Sequence, residues 1–477
     1  MKVNSLSYTP PLGLTSKGAI WILLILCEVA IGLTVVTLRP LHILILVLGT
    51  SCVIYSFERP YFAYALLLFS LPFSAYNIMG AQGVKDQLDL KFSDVAIILA
   101  VFCWLGNGLI KKNLSFEKSP ILLPLFLLFT WMFFSLSWCY SFSAGSFEFA
   151  KKLVSLAVFF LTINLVTDRK RLDMTFKLWT ICGLIFAFCG LWEVFHEGFG
   201  AAETRSPGQW GDAMRTSAYT PGPNKLGFFL NICLMISIPQ LVTTKSFRYK
   251  IFLIFSIVMM MVILITTMSR GSWAGFIAGA VILSFYSKGC RRALIIGLFA
   301  AIVFFIAIST TNFMGAVYER FAGLVNPTIT RDYYGKSSVW SAGLQMFQES
   351  PIRGVGIGSY KLLSPVYGST MLAYAHNLYV LILTEFGLIG VALFLFLVAA
   401  YFSEAIKVLK RLTDKAEKLI FVGLITGLLI YCIQGMTISF SFREADMWAF
   451  FGLSIAAIRI FGTQQPATQT ETISVTN

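Results

Sequence analysis

The chain has 477 residues, 57% hydrophobic and 13% charged, with a mean hydropathy of +0.77. A soluble domain carries roughly 25% charged residues, and the shortfall runs along nearly the whole length, which excludes an ordinary soluble protein and indicates a polytopic membrane protein. The net charge of +14 comes from 37 Lys and Arg against 23 Asp and Glu, held in short clusters between apolar runs; that is the pattern of cytoplasmic loops, not of a nucleic-acid surface.

The start, residues 1–17, is polar and lacks a small-residue cleavage site after the first apolar run, so it reads as retained. Apolar runs near the bilayer-spanning length of about 20 residues fall at approximately 18–36, 41–57, 60–75, 93–110, 119–138, 149–166, 174–195, 222–242, 249–268, 272–287, 293–310, 376–402, 418–438 and 446–462. The fold expected is all-α, with about 12–14 transmembrane helices. The basic clusters Lys111-Lys112, Arg169-Lys170-Arg171, Lys245 with Arg248 and Lys250, Lys288 with Arg291-Arg292, and Lys407 to Lys418 fall on one side by alternation. Excess Lys and Arg mark that side as cytoplasmic, which puts both termini inside and the loops 76–92, 197–221, 311–375 and 439–445 outside. The nine cysteines are scattered through apolar runs without a CxxC, and read as small apolar side chains.

The chain therefore divides into N-terminal transmembrane helices (1–310), one long outer loop (311–375), C-terminal transmembrane helices (376–462) and a polar, disordered tail (463–477). In the loop, Ser337-Ser338 can cap a helix that ends at Ser350-Pro351 and carries Trp340, Leu344 and Phe347 on one face. An amphipathic helix on the membrane surface or over a cavity is expected. Gly354-Val355-Gly356-Ile357-Gly358 has no GxGxxG spacing and no preceding buried strand, and reads as a tight turn.

Three histidines are present. His42 begins a span and His196 ends one, as interfacial side chains do. His376 follows the long loop, precedes Asn377 and Tyr379, and opens a helix that carries Glu385 within its apolar run. An ionisable group inside a span is costly and points to function, so His376 is read either as a catalytic base or as a capping histidine. Arg270, in Thr267-Met268-Ser269-Arg270-Gly271, interrupts two apolar runs at the outer face. It is either a snorkelling arginine or an anion site, since its planar fork matches phosphate oxygens. Arg215, Arg320, Arg331, Lys336 and the pair Lys151-Lys152 beside Glu148 are further outer cations. Asp86, Asp89 and Asp94 alternate with lysines and lack metal-ligand spacing; Ser93 or Asp94 is expected to cap the next helix. No metal site and no cofactor is expected.

His376-Asn377, with Gly387 and Gly390 following in the same helix, resembles the hallmark of the O-antigen ligase and O-antigen polymerase superfamily. So do the long loop before it, the spans after it, Ser269-Arg270-Gly271 two spans earlier, and Trp340 to Gly358. The resemblance covers roughly residues 215–440. It implies a GT-C-type glycosyltransferase of the bacterial inner membrane with its active site facing the periplasm. Such an enzyme moves a glycan from undecaprenyl pyrophosphate to a sugar hydroxyl, with inversion and without a metal. By position, His376 would be the base or would orient the acceptor, and Arg270 would bind pyrophosphate. Arg331 or Lys336 would supply a second loop cation. Asn377, Tyr379, Glu385, Gly387, Gly390 and Arg215 would support the site. The acceptor is lipid A-core for a ligase or a lipid-linked repeat unit for a polymerase. A flippase or transporter, which predicts repeats and mid-membrane polar groups, is the reading from another class.

Overall fold

A computed structural model describes residues 40–71, 77–79, 90–196, 215–218, 220, 222–307, 331–369, 375–437 and 441–463. The predicted first span, Asp86, Asp89, Arg320, most of the loop 197–221 and the tail beyond 463 lie outside them. The remaining predicted spans each coincide with a helix: α1 (Pro40–Glu58), α2 (Pro60–Ser70), α3 (Phe92–Ile110), α4 (Leu122–Phe134), α5 (Phe142–Leu165), α6 (Arg169–His196), α7 (Pro223–Thr243), α8 (Phe247–Thr266), α9 (Arg270–Tyr286) and α10 (Lys288–Ala307). The loop contributes α11 (Arg331–Glu349) and the short α12 (Ser359–Leu363), and α13 (Leu378–Arg411), α14 (Lys415–Gln434) and α15 (Ala445–Gly462) complete the chain. A small hairpin of β1 (Asn77–Met79) and β2 (Leu90–Lys91) is the only sheet among the described residues.

The protein is all-α and polytopic. Helices α3, α6, α7, α8, α13, α14 and α15 are each long and apolar enough to cross a membrane. Helix α2, with 11 residues, and α4, with 13, are short for their predicted spans. Side-chain caps fix several starts: Ser141 accepts from Ala144 N, Ser269 from Ser272 N and Asp414 from Glu417 N. Each satisfies an amide that the first helical turn leaves without a carbonyl. Helix α3 starts ahead of both expected caps, Ser93 and Asp94; Asp94 lies in its first turn and accepts backward from Lys91 N at 3.1 Å.

Two compact units are formed, residues 1–64 with 99–115, and residues 65–98 with 116–477. In the first, Asn107 Nδ2 donates to Phe57 O at 2.6 Å and binds α3 to α1. The second holds the resembling region. Its helices approach closely through small residues, as membrane bundles do: a Cβ on Gly423 of α14 would lie 2.4 Å from Met235 O of α7. At one end of this unit, Arg169 pairs with Glu417 at 3.0 Å and Arg459 with Glu117 at 2.9 Å. The first pair joins two of the loops between spans, so the predicted basic clusters Arg169-Lys170-Arg171 and Lys407 to Lys418 share a face.

Helix α11 departs from expectation. It begins by Arg331, not at Ser337-Ser338, and it buries Val339, Ala342, Gly343 and Met346, while Leu344 is exposed and Trp340 and Phe347 are only half-buried. The packed face uses the small residues because they let α13 approach: Thr384 Oγ1 donates to Gly343 O at 3.1 Å.

Candidate active site

His376 is held from both sides. The carbonyl before it, Ala375 O, accepts from Trp340 Nε1 at 2.6 Å, which ties α11 to the site. After it, Asn377 caps α13, its Oδ1 accepting from Tyr379 N at 2.9 Å and Val380 N at 3.2 Å. Leu378 N donates to Gly435 O at 2.7 Å. Between these anchors His376 adopts a left-handed backbone, φ 48°, and is half-buried. Histidine is among the residues that tolerate this conformation. The Tyr379 hydroxyl is committed to Cys432 O at 2.6 Å, so Tyr379 braces α13 against α14.

Arg270 opens α9, one residue after its Ser269 cap. It is half-buried, and no hydrogen bond or ion pair to its guanidinium is found among the described residues. Arg215 is different: it is buried, and its Nε donates to Thr267 O at 3.0 Å and its Nη2 to Asn224 Oδ1 at 2.7 Å. It therefore fastens the turn before Arg270 to the start of α7. The segment carrying Arg215 is itself anchored by Glu193, a buried carboxylate of α6 that accepts from Ser217 N at 3.2 Å and from Ala218 N. Arg331 and Lys336 lie in the first turns of α11, and their side chains fall outside the described residues.

The segments that carry His376 and Arg270 both contact one turn. Gln434 Nε2, at the end of α14, donates to Gly271 O at 3.2 Å, and the next residue, Gly435, receives Leu378 N. Thr437 completes the turn against Gly271, where a Cβ would lie 2.6 Å from its hydroxyl. The starts of α9 and α13 thus share residues 434–437. The starts of α7 and α15 lie at the same end: Lys225 Nζ binds Glu444 Oε1 at 3.2 Å. Helix starts carry unpaired amides and partial positive charge, which favours an anion there. An ion chain closes this end, with Arg443 on Glu148 at 2.9 Å and Lys152 Nζ on Ser441 O at 2.7 Å.

Glu385, Gly387 and Gly390 form a separate arrangement. Helix α13 breaks at Gly387, φ 64° and ψ −164°, and the segment after α11 enters the break. Val355 N donates to Thr384 O and Gly356 N to Glu385 O, both at 2.9 Å; Leu388 N donates to Pro351 O at 2.9 Å and Ile389 N to Ile352 O at 3.3 Å. Trp131 Nε1 takes Phe386 O at 3.0 Å. Each of these bonds pairs a backbone group that the break frees, as buried backbone requires. The buried Glu385 carboxylate accepts from Tyr360 N at 3.3 Å and stands at the start of α12. It lies roughly two and a half helical turns beyond His376, so it braces the loop and does not pair with the histidine. The expected tight turn is present, with Gly354, Gly356 and Gly358 all at positive φ. Burial pushes the Tyr360 phenol up, and its hydroxyl donates to Val339 O.

Sequence reading missed Glu193, Gln434 and Trp131. The rule that singled out Glu385, an ionisable group within an apolar run, applies equally to Glu193. Gln434 and Trp131 carry no local signal, because their partners are distant in sequence.

The arrangement defines a polytopic helical membrane protein in which the helix starts next to His376 and Arg270 rest on one turn, at the end of the bundle opposite the basic loops. Residues 255–395 match the family described as O-Antigen ligase. The chain is also 24% identical over 383 residues to the teichuronic acid biosynthesis protein TuaE of Bacillus subtilis (strain 168), covering 76% of this chain and 78% of that protein. Both likenesses support the O-antigen ligase and polymerase superfamily and a biosynthetic role of that type.

Proposed function

We propose that the chain is an O-antigen ligase-type glycosyltransferase that moves a glycan from undecaprenyl pyrophosphate to a sugar hydroxyl at the periplasmic face of the bacterial inner membrane. The observation that carries this reading is the turn 434–437, on which the elements bearing His376 and Arg270 both rest. A sugar hydroxyl is a weak nucleophile until its proton leaves. His376 takes that proton as the new glycosidic bond forms, an effect worth roughly 10²–10⁴-fold. The acceptor oxygen attacks the anomeric carbon from the face opposite the leaving group, so the configuration inverts. The bond to pyrophosphate breaks, and the charge that develops is met by Arg270, the nearby helix starts and a loop cation, Arg331 or Lys336. These fixed cations perform the neutralisation that a divalent ion supplies elsewhere, so a metal-independent reaction is proposed.

The polymerase reading is kept as the alternative because the relative at 24% identity is named for teichuronic acid biosynthesis and not for ligation. Transport is disfavoured, because the break of α13 is filled by loop backbone whose amides pair with its carbonyls. The test is reconstitution with an undecaprenyl-pyrophosphate glycan and two acceptors, lipid A-core and a lipid-linked repeat unit. A product on the first supports the ligase, a ladder on the second supports the polymerase, and no transfer to either removes the proposal. Activity that needs a divalent ion removes the metal-independent part.

A further inference from the structure

The segment 350–369 fills the break of α13 with its backbone, and it also docks on the turn between α4 and α5. Ser359 Oγ accepts from Tyr140 N at 2.9 Å, and Ser135 Oγ accepts from Ile357 N at 3.2 Å. The Arg353 guanidinium stands over the Trp138 ring, 5.6 Å from its centroid. Where Gly356 passes Cys139 there is no room for a side chain, since a Cβ would lie 2.6 Å from Cys139 Cα.

That turn marks a depth in the membrane. Trp138 and Tyr140 follow the end of α4, in the place where amphipathic rings settle at headgroup level. The flanking Phe134 and Phe142 are 56% and 69% exposed, so the lipid-facing surface of the bundle runs up to the turn. The break of α13 lies beside it, through Trp131 and Phe386 O. Just past the break, Leu388 is 52% exposed and hydrogen-bonded to Pro351, the neighbour of Ile352. Ile352 is 64% exposed and Val366 is 74% exposed, and neither belongs to a spanning helix. A single exposed aliphatic residue needs no explanation. Here Ile352 extends an apolar surface that already faces lipid, with the cations Arg353 and Lys361 on the same segment.

We propose that residues 350–366 are an interfacial anchor whose partner is the phospholipid of the outer leaflet. Ile352 and Val366 turn toward acyl chains, and Arg353 and Lys361 meet anionic headgroups, each basic residue near such a surface contributing about 1 kcal/mol. The segment that closes the break of α13 is thereby held at headgroup level, where a lipid-linked substrate carries its phosphates. The lipid contact is independent of the catalytic reading.

The test is photo-crosslinking. A benzoyl-phenylalanine is introduced at Ile352 or at Val366, and the full-length protein is irradiated in phosphatidylethanolamine–phosphatidylglycerol vesicles and weighed by mass spectrometry. The expected result is the added mass of one phospholipid at either position. No lipid adduct at either position means that the segment faces water, and a protein–protein adduct means that another chain covers it; both overturn the proposal. The headgroup contact is tested with R353Q and K361Q combined with the Ile352 probe. The phosphatidylglycerol share of the adducts should fall toward its share in the vesicle. An unchanged share overturns the role of the two cations.

Discussion

The carbonyl oxygen of Ile352 occupies the place where a side chain on Gly387 would begin: a Cβ there would lie 2.4 Å from it. Gly387 also holds φ 64° with ψ −164°, a region open in practice to glycine alone. Backbone strain of about 1–3 kcal/mol and the clash add in Gly387→Ala. We expect a lower melting temperature in detergent and easier proteolysis of the 350–369 segment. Unchanged melting would show that the segment does not enter the break.

Trp131 serves the same break from the other side. Trp131→Phe keeps a ring but leaves Phe386 O without its 3.0 Å donor. A buried carbonyl without a partner costs about 1–3 kcal/mol. Thermal stability should fall, while the donor KM measured in proteoliposomes stays at the parent value. A changed KM with unchanged melting would assign Trp131 to substrate binding instead.

The spans were legible because apolar length is a local property, and most predicted runs meet a helix within a few residues. His376 and Arg270 were legible as polar residues at the ends of such runs. What joins them was not: Gln434 donates to Gly271 across 163 positions, and nothing near Gln434 in the sequence announces it. Gly387 was visible as a glycine at a recognisable spacing, but its physical reason is a loop arriving 35 positions earlier in the chain, from Ile352. The packed face of α11 was misread. Ala342 and Gly343 lie on the packed face with Val339 and Met346 and let α13 approach, while Leu344 stays outside.

His376 is already in a left-handed backbone, which asparagine also accepts. His376→Asn therefore preserves the turn and removes the base. Transfer should fall by roughly 10²–10⁴-fold with melting unchanged. Transfer within a few-fold of the parent would remove His376 from the chemistry.

Arg270 should act through charge and shape together. In Arg270→Gln the donor KM should rise and kcat should fall. Arg270→Lys should recover part of the affinity, because the charge returns without the planar fork. Arg215→Lys should behave differently. Arg215 spends Nε on Thr267 O and Nη2 on Asn224, two directed bonds that an ammonium cannot reproduce together, so its main loss should be in melting temperature. Equal melting losses in the Arg270 and Arg215 variants would mean that both are structural.

Gln434 makes the sharpest prediction, because it touches Gly271 and adjoins the residue that receives Leu378. Gln434→Met fills similar volume and removes the amide that sets the start of α9. The cations and the histidine remain, so donor binding should change little. Their spacing is no longer fixed, and a misplacement of about 1 Å can cost on the order of 10²-fold in rate. The expected signature is a fall in kcat at nearly constant KM, with Gln434→Glu restoring little because a carboxylate cannot donate to Gly271 O. Parallel loss of KM and melting temperature in Gln434→Met would show general damage to the bundle, and the turn 434–437 would lose its role in relating base to cation.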